Sequence, residues 1–341
     1  MPSSRSSGSL LALAAMICVG SSVAVSQALV DAPLFTVQAL RYTLAAGLLL
    51  AVVRVTRRGI PRPHGIEWVW LVAVAGTGLV LFNVAVVRGV AHAEPAVIGI
   101  AVASVPLLLA VVGPLLNRMR PAPAVVLAAA VVTVGAVLVH GGGRTDAAGL
   151  GWAAFVLLTE VAFTLLAIPV LARLGPWSVS LHTTWIAAVG LGVLGVTVEG
   201  STAVFALRAD DIAAGAHLAV VVTALAFVLW YSAVGQIGPG RAGLATGVVP
   251  VVAAGGGVLL GASPPGPVVW LGVAVVAAGL VLGLRAGDER AVTHRGRSAT
   301  TCPTGRTSRR VAWSTTRKAG ARPHLPAPIL PELGAGSESG R

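Results

Sequence analysis

The chain has 341 residues, 56% of them hydrophobic and 11% charged, with a formal net charge of +12. A mean hydropathy of +0.88 excludes an ordinary soluble domain. The positive charge is no nucleic-acid signature, because 11 of the 24 Lys and Arg residues fall between Arg285 and Arg341 and most of the others sit in linkers.

In chain order, the apolar text divides into ten predicted helical segments, at about 9–30, 33–53, 66–91, 95–116, 122–140, 149–173, 178–198, 213–236, 242–262 and 266–285. Each is long enough to cross roughly 30 Å of hydrocarbon. The linkers "RRGIPRPHG", "NRMRPAP", "HGGGRTDAAG" and "GASPPGP" carry turn chemistry. The expectation is an all-α polytopic membrane protein. Arg5 before the first run, with Ser26-Gln27-Ala28 after it, also resembles a signal peptide. The run continues to Val30, so it is read as the first helix. Cys18 and Cys302 are isolated, giving neither a disulfide framework nor a metal site.

Orientation follows from arginine counting. The N-terminus and even-numbered loops hold Arg5, Arg54, Arg57, Arg58, Arg62, Arg118, Arg120, Arg173 and Arg241, and the odd-numbered loops only Arg88, Arg144 and Arg208. Both termini are therefore expected in the cytoplasm, with the chain in the plasma membrane and residues 1–8 as a short leading segment.

The chain also repeats itself. Residues 106–138 align without a gap on 250–282, matching Pro106 with Pro250, Gly113 with Gly257, Pro121 with Pro265, Pro123 with Pro267 and Gly135 with Gly279. A weaker match sets Pro33 and Gly47 on Pro176 and Gly190. The expected units are 9–140 and 149–285, five helices each. An odd number inserts the second copy upside down, giving an inverted repeat that can expose a central site to alternate sides. The alternative is a duplication that only built a stable bundle. Residues 286–341 are polar, basic and rich in Pro, Ser and Thr. They read as a disordered cytoplasmic tail, either touching anionic headgroups or without a role.

This order of stretches, with "VGSSVAVSQ", "LRYTLAAGLLL", "VASVPLLLAVVGPLL" and "LWYSAVGQIGPGRAGLATGVVPVVAAGGGVLL" in place, resembles EamA-type proteins of the drug/metabolite transporter superfamily over residues 9–285. Val19-Gly20 stands where relatives often carry a tryptophan before the glycine. The resemblance implies secondary transport of small polar metabolites, often export, with amino acids and related compounds as common cargo.

Glu160 sits in the apolar run "FVLLTEVAFTLL". A carboxylate at that depth must face the bundle interior, be protonated or be paired. It is the candidate for substrate binding or proton coupling, the alternative being a structural carboxylate that locks two helices. Arg41 lies at similar depth and is expected to pair with Glu160 or share a polar cavity with it. The alternative is an arginine reaching for headgroups. Trp230 and Tyr231 either line a substrate path or anchor the interface. His182 either titrates in function or is simply solvated. Pro106 and Pro250 are expected to kink equivalent helices near a pocket. No metal spacing, phosphate loop or catalytic constellation is found, so the expectations are no enzyme, no cofactor and no metal. The expected partners are a small-molecule substrate and the bilayer, with protons as a candidate coupling ion and a homodimer left open. A non-transporting membrane protein that binds a partner or lipid is the rival reading.

Overall fold

The computed structural model describes residues 3–299 apart from 23, 24, 26–28, 30, 117, 142 and 260–265. The Ser26–Ala28 site and the tail from residue 300 lie outside the described residues. Contacts divide the chain into Met1–Arg295 and Gly296–Arg341, and the account below is of the first unit. Among the described residues the regular structure is helical, with one isolated bridge, Ala93 to Thr145.

The helices are α1 Ser3–Gly20, α2 Leu34–Val55, α3 Ile66–Val90, α4 Pro95–Ala103, α5 Val105–Leu116, α6 Pro123–His140, α7 Ala147–Leu165, α8 Ile168–Leu194, α9 Ala209–Ile237, α10 Pro239–Leu244, α11 Val248–Leu259 and α12 Pro267–Ala299. Seven stretches among the described residues are long and apolar enough to cross a membrane, and α1 and α12 contribute two shorter apolar helices, Ser6–Gly20 and Pro267–Gly283. Their outward faces carry large apolar side chains such as Leu44, Val69, Leu127, Val189 and Leu271. That is the solvent preference of a multi-pass membrane protein.

The helix limits depart from the expected segments where backbone chemistry intervenes. The fourth segment breaks at Ser104, so that Pro106 enters the first turn of α5. The ninth divides into α10, a 3₁₀ turn over Ala245–Gly247, and α11, with Pro250 in the first turn of the last piece. Proline has no N–H to donate, and the first turn of a helix needs none. The sixth segment stops at Leu165, and the chain resumes at Ile168 and turns at Gly175. There φ is +71°, a conformation glycine adopts freely, and Pro176 opens the next stretch. The last helix runs past residue 285.

Two antiparallel pairings frame the interior. Helix α2 packs along the second stretch of α8, with Thr36 against Gly195, Ala39 against Gly192, and Arg58 over the Trp177 ring at 4.7 Å. The Glu199 carboxylate accepts from the backbone N–H of Phe35 and of Thr36, both at 2.8 Å. It thereby satisfies donors that the first turn of α2 leaves unpaired. Helix α3 packs along α7, with Gly78 against Phe163 and Gly89 against Trp152. The pair is fastened at one end by Asp146 and His92, 3.1 Å apart. At the opposite end of α3, Arg173 binds Glu67 and the Arg62 carbonyl.

Helices α6 and α12 approach closely. A Cβ on Gly135 would stand 2.6 Å from the Val276 nitrogen, and one on Gly279 would stand 2.9 Å from the Val132 nitrogen. Small residues permit this backbone contact. The two contacts are reciprocal under the repeat offset of 144 residues, which sets Val132 on Val276 and Gly135 on Gly279.

Candidate functional site: a polar cavity inside the bundle

Helices α3 and α9 each widen into a π turn part-way along, at Gly76–Leu81 and Leu218–Leu225. A π turn adds a residue to the ladder, and such turns cluster at functional sites. Side-chain donors attend both turns. The Thr223 hydroxyl donates to the Leu218 carbonyl five residues back, at 2.9 Å. The Asn83 amide donates to the Leu79 carbonyl at 2.5 Å.

Both turns border a cavity of about 410 Å³. Its polar lining comes mainly from three helices. Helix α2 supplies Gln38 and Arg41, α3 supplies Asn83, and α7 supplies Glu160 and Thr164. Aromatic side chains complete the wall. Phe163 and Phe227 stand 5.2 Å apart by ring centroid, and Tyr42 and Trp230 join them in the lining. Trp230 is anchored through its indole N–H, which donates to Thr164 Oγ1 at 3.3 Å.

The cation is held by neutral groups. Arg41 Nε donates to Thr223 Oγ1 at 2.7 Å, and one terminal nitrogen donates to Gln38 Oε1 at 3.1 Å. Its guanidinium carbon lies 5.0 Å from the Tyr42 ring centroid. The Glu160 carboxyl also lines the cavity, and among the described residues it has neither an ion pair nor a hydrogen bond. The site therefore offers one guanidinium and one carboxyl group to the same cavity, each with capacity unused.

Of the residues singled out from sequence, Arg41, Glu160 and Trp230 line this cavity. Of the two arrangements expected for Arg41 and Glu160, the structure has the shared cavity and not the ion pair. Tyr231 is not among the lining side chains, since adjacent helical positions face different directions. Its side chain is fully buried behind Phe163 and Phe227, at 5.4 and 6.4 Å. It borders a second cavity of about 570 Å³ beside Gly175 and Pro176. His182 is outside the central cavity. Its ring packs edge-on against Trp68 at 5.5 Å and contacts Ser178, whose hydroxyl donates to the Pro61 carbonyl. Pro106 and Pro250 do not line the cavity, but their neighbours Val105 and Val249 do.

Sequence reading missed Gln38, Asn83 and Thr223. The two amides carried a signal, since each is a strongly polar side chain inside an apolar run. Thr223 carried none. Threonines are scattered through these helices, and only the π turn and the reach of Arg41 distinguish this one.

Residues 6–141 match the model of the EamA-like transporter family. That part of the chain is similar to this family. The chain as a whole is a multi-pass membrane protein. It is 27% identical over 250 residues to the uncharacterized transporter YetK of Bacillus subtilis (strain 168), covering 70% of this chain and 75% of that one. A solved crystal structure of a protein 20% identical superposes with a TM-score of 0.70, over 82% of this chain and 97% of its own, and shows a shared fold.

Proposed function

We propose that this protein is a secondary transporter of small polar metabolites, amino acids and related compounds among them, acting as an exporter. The observation that carries the reading is the cavity. A membrane bundle with only structural duties has no reason to keep an arginine and a glutamate unpaired around an internal space, because a buried charge is costly unless something compensates it. A polar metabolite with its own charges is that compensation. The aromatic wall suits an apolar portion of the same molecule.

The mechanism we propose is alternating access between two inverted five-helix units, 9–140 and 149–285. The reciprocal contacts between α6 and α12 support it, as do the paired π turns: adding 144 to 76–81 gives 220–225, inside the second turn. Two units related by a twofold axis in the membrane plane can exchange conformations around a fixed midplane site. In this reading Glu160 binds cargo or carries the coupling proton, Arg41 binds cargo, and Trp230 forms the wall. The breaks before Pro106 and Pro250 flex as the units exchange. The same reading puts the chain in the plasma membrane with both termini cytoplasmic, on the arginine bias of its linkers.

The test compares metabolites inside and outside cells that express wild type or Glu160→Gln at matched membrane levels. A compound displaced by wild type and not by the variant supports the reading and names the cargo. Equal displacement by both makes Glu160 structural. A profile like that of empty cells counts against transport.

A further inference from the structure

From the bonds around Arg41 we infer that Thr223 is a positioning residue, which turns one edge of the guanidinium into a recognition edge for an oxyanion, a carboxylate in the simplest case, on the cargo. The assignment of that anion to a transported molecule rests on the function proposed above.

The argument is an accounting of donors and acceptors. A threonine hydroxyl has one hydrogen to give and lone pairs to receive with. Thr223 gives its hydrogen to the Leu218 carbonyl, a partner five residues back that the π turn brings into reach. The direction of the hydroxyl is thereby fixed, and its lone pair faces Arg41 Nε. Thr223 is fully buried and Gln38 nearly so.

Arginine carries five N–H donors in a rigid plane. Thr223 takes the one on Nε, and Gln38 takes one on a terminal nitrogen. Neither partner is charged, so the positive charge is uncompensated by them. Three N–H groups are left, one on the nitrogen that Gln38 holds and two on the other terminal nitrogen, on a side chain that lines the cavity. Parallel N–H bonds from a guanidinium edge match the two oxygens of a carboxylate. A lysine at position 41 would be a point charge and could not be oriented through Thr223 in this way.

The experiment uses the full chain in nanodiscs with ¹⁵N-labelled arginine side chains. The Arg41 Nε–H signal is assigned by its loss in Arg41→Lys, and the probe anion is acetate, with chloride at equal ionic strength as control. Thr223→Val replaces the hydroxyl with a methyl of similar shape, and Thr223→Ser keeps it. The Nε–H is expected to exchange with water slowly in wild type and in Thr223→Ser, and about tenfold or more faster in Thr223→Val. Acetate is expected to shift the signal in the first two and not in the third. Gln38→Leu gives a second variant, which should keep Nε protection and weaken the acetate response. Unchanged exchange in Thr223→Val overturns the positioning role. An acetate response no greater than that of chloride overturns the oxyanion edge. Should both expectations hold in a protein that displaces no metabolite from cells, the positioning stands and the transport reading falls.

Discussion

Arg41 and Glu160 line one cavity from two different helices, and no ion pair among the described residues joins them. The two side chains are thus held available. A permanent Arg41–Glu160 bridge would have offset the cost of burying both, and would have left nothing for a ligand to do.

Glu160→Gln keeps the shape of the side chain and removes its charge and its proton. If the carboxyl binds or couples, cargo displacement should fall by about tenfold or more, the scale of one lost bond to a charged group. Its dependence on external pH should flatten. Efflux measured across a range of external pH checks both.

Tyr231 Oη is buried with no hydrogen-bond partner among the described residues. An unsatisfied buried hydroxyl is destabilising by about 1–3 kcal/mol. Tyr231→Phe should therefore leave the melting temperature of the purified protein unchanged or raise it by a few degrees. A fall would mean that the hydroxyl has found a partner.

Gly135→Leu places a side chain where the α12 backbone already stands. The melting temperature should drop by about 5 °C or more, the scale of overpacking an interior. Gly47→Leu is the control, since a Cβ there meets nothing within 4 Å. Gly279→Leu should reproduce the effect from the other side of the contact.

Asp146 lies outside the spanning helices and caps α7 by accepting from the Gly149 N–H at 2.7 Å. That bond, with the contact to His92, holds its carboxyl below the usual carboxylate range. A depressed value means that the cap contributes stability above the ordinary carboxylate pKa and loses it as pH falls through the folded-state value. Asp146→Ala should lower the melting temperature at neutral pH by about 2 °C. The gap between variant and wild type should close below about pH 3.8, and thermal melts at several pH values measure it.

Much of the helical framework was legible because one-dimensional signals carry it. Apolar runs of membrane-spanning length need no tertiary context, and Gly175-Pro176 announces a turn in any fold. The interruptions at Ser104 and Leu166 were less legible. Each sits inside an apolar run, where a helix can stop and resume without a change in composition. The charged site was half legible. Glu160 and Arg41 stand out in apolar text, since the bilayer makes any charge there exceptional. That Trp230 faces the cavity while Tyr231 does not depends on the rotation of α9, which its mostly apolar sequence does not fix.

The sequence by itself determined that this is a helical membrane protein with charges buried in its spans, because hydropathy and length act on each segment independently. Only the tertiary structure decided that Arg41 is held by Thr223 and Gln38 and not by Glu160. Those bonds join residues up to 182 positions apart, and they depend on an extra residue in one turn of α9. No local rule specifies such a turn, because it is fixed by how the helices pack around the cavity.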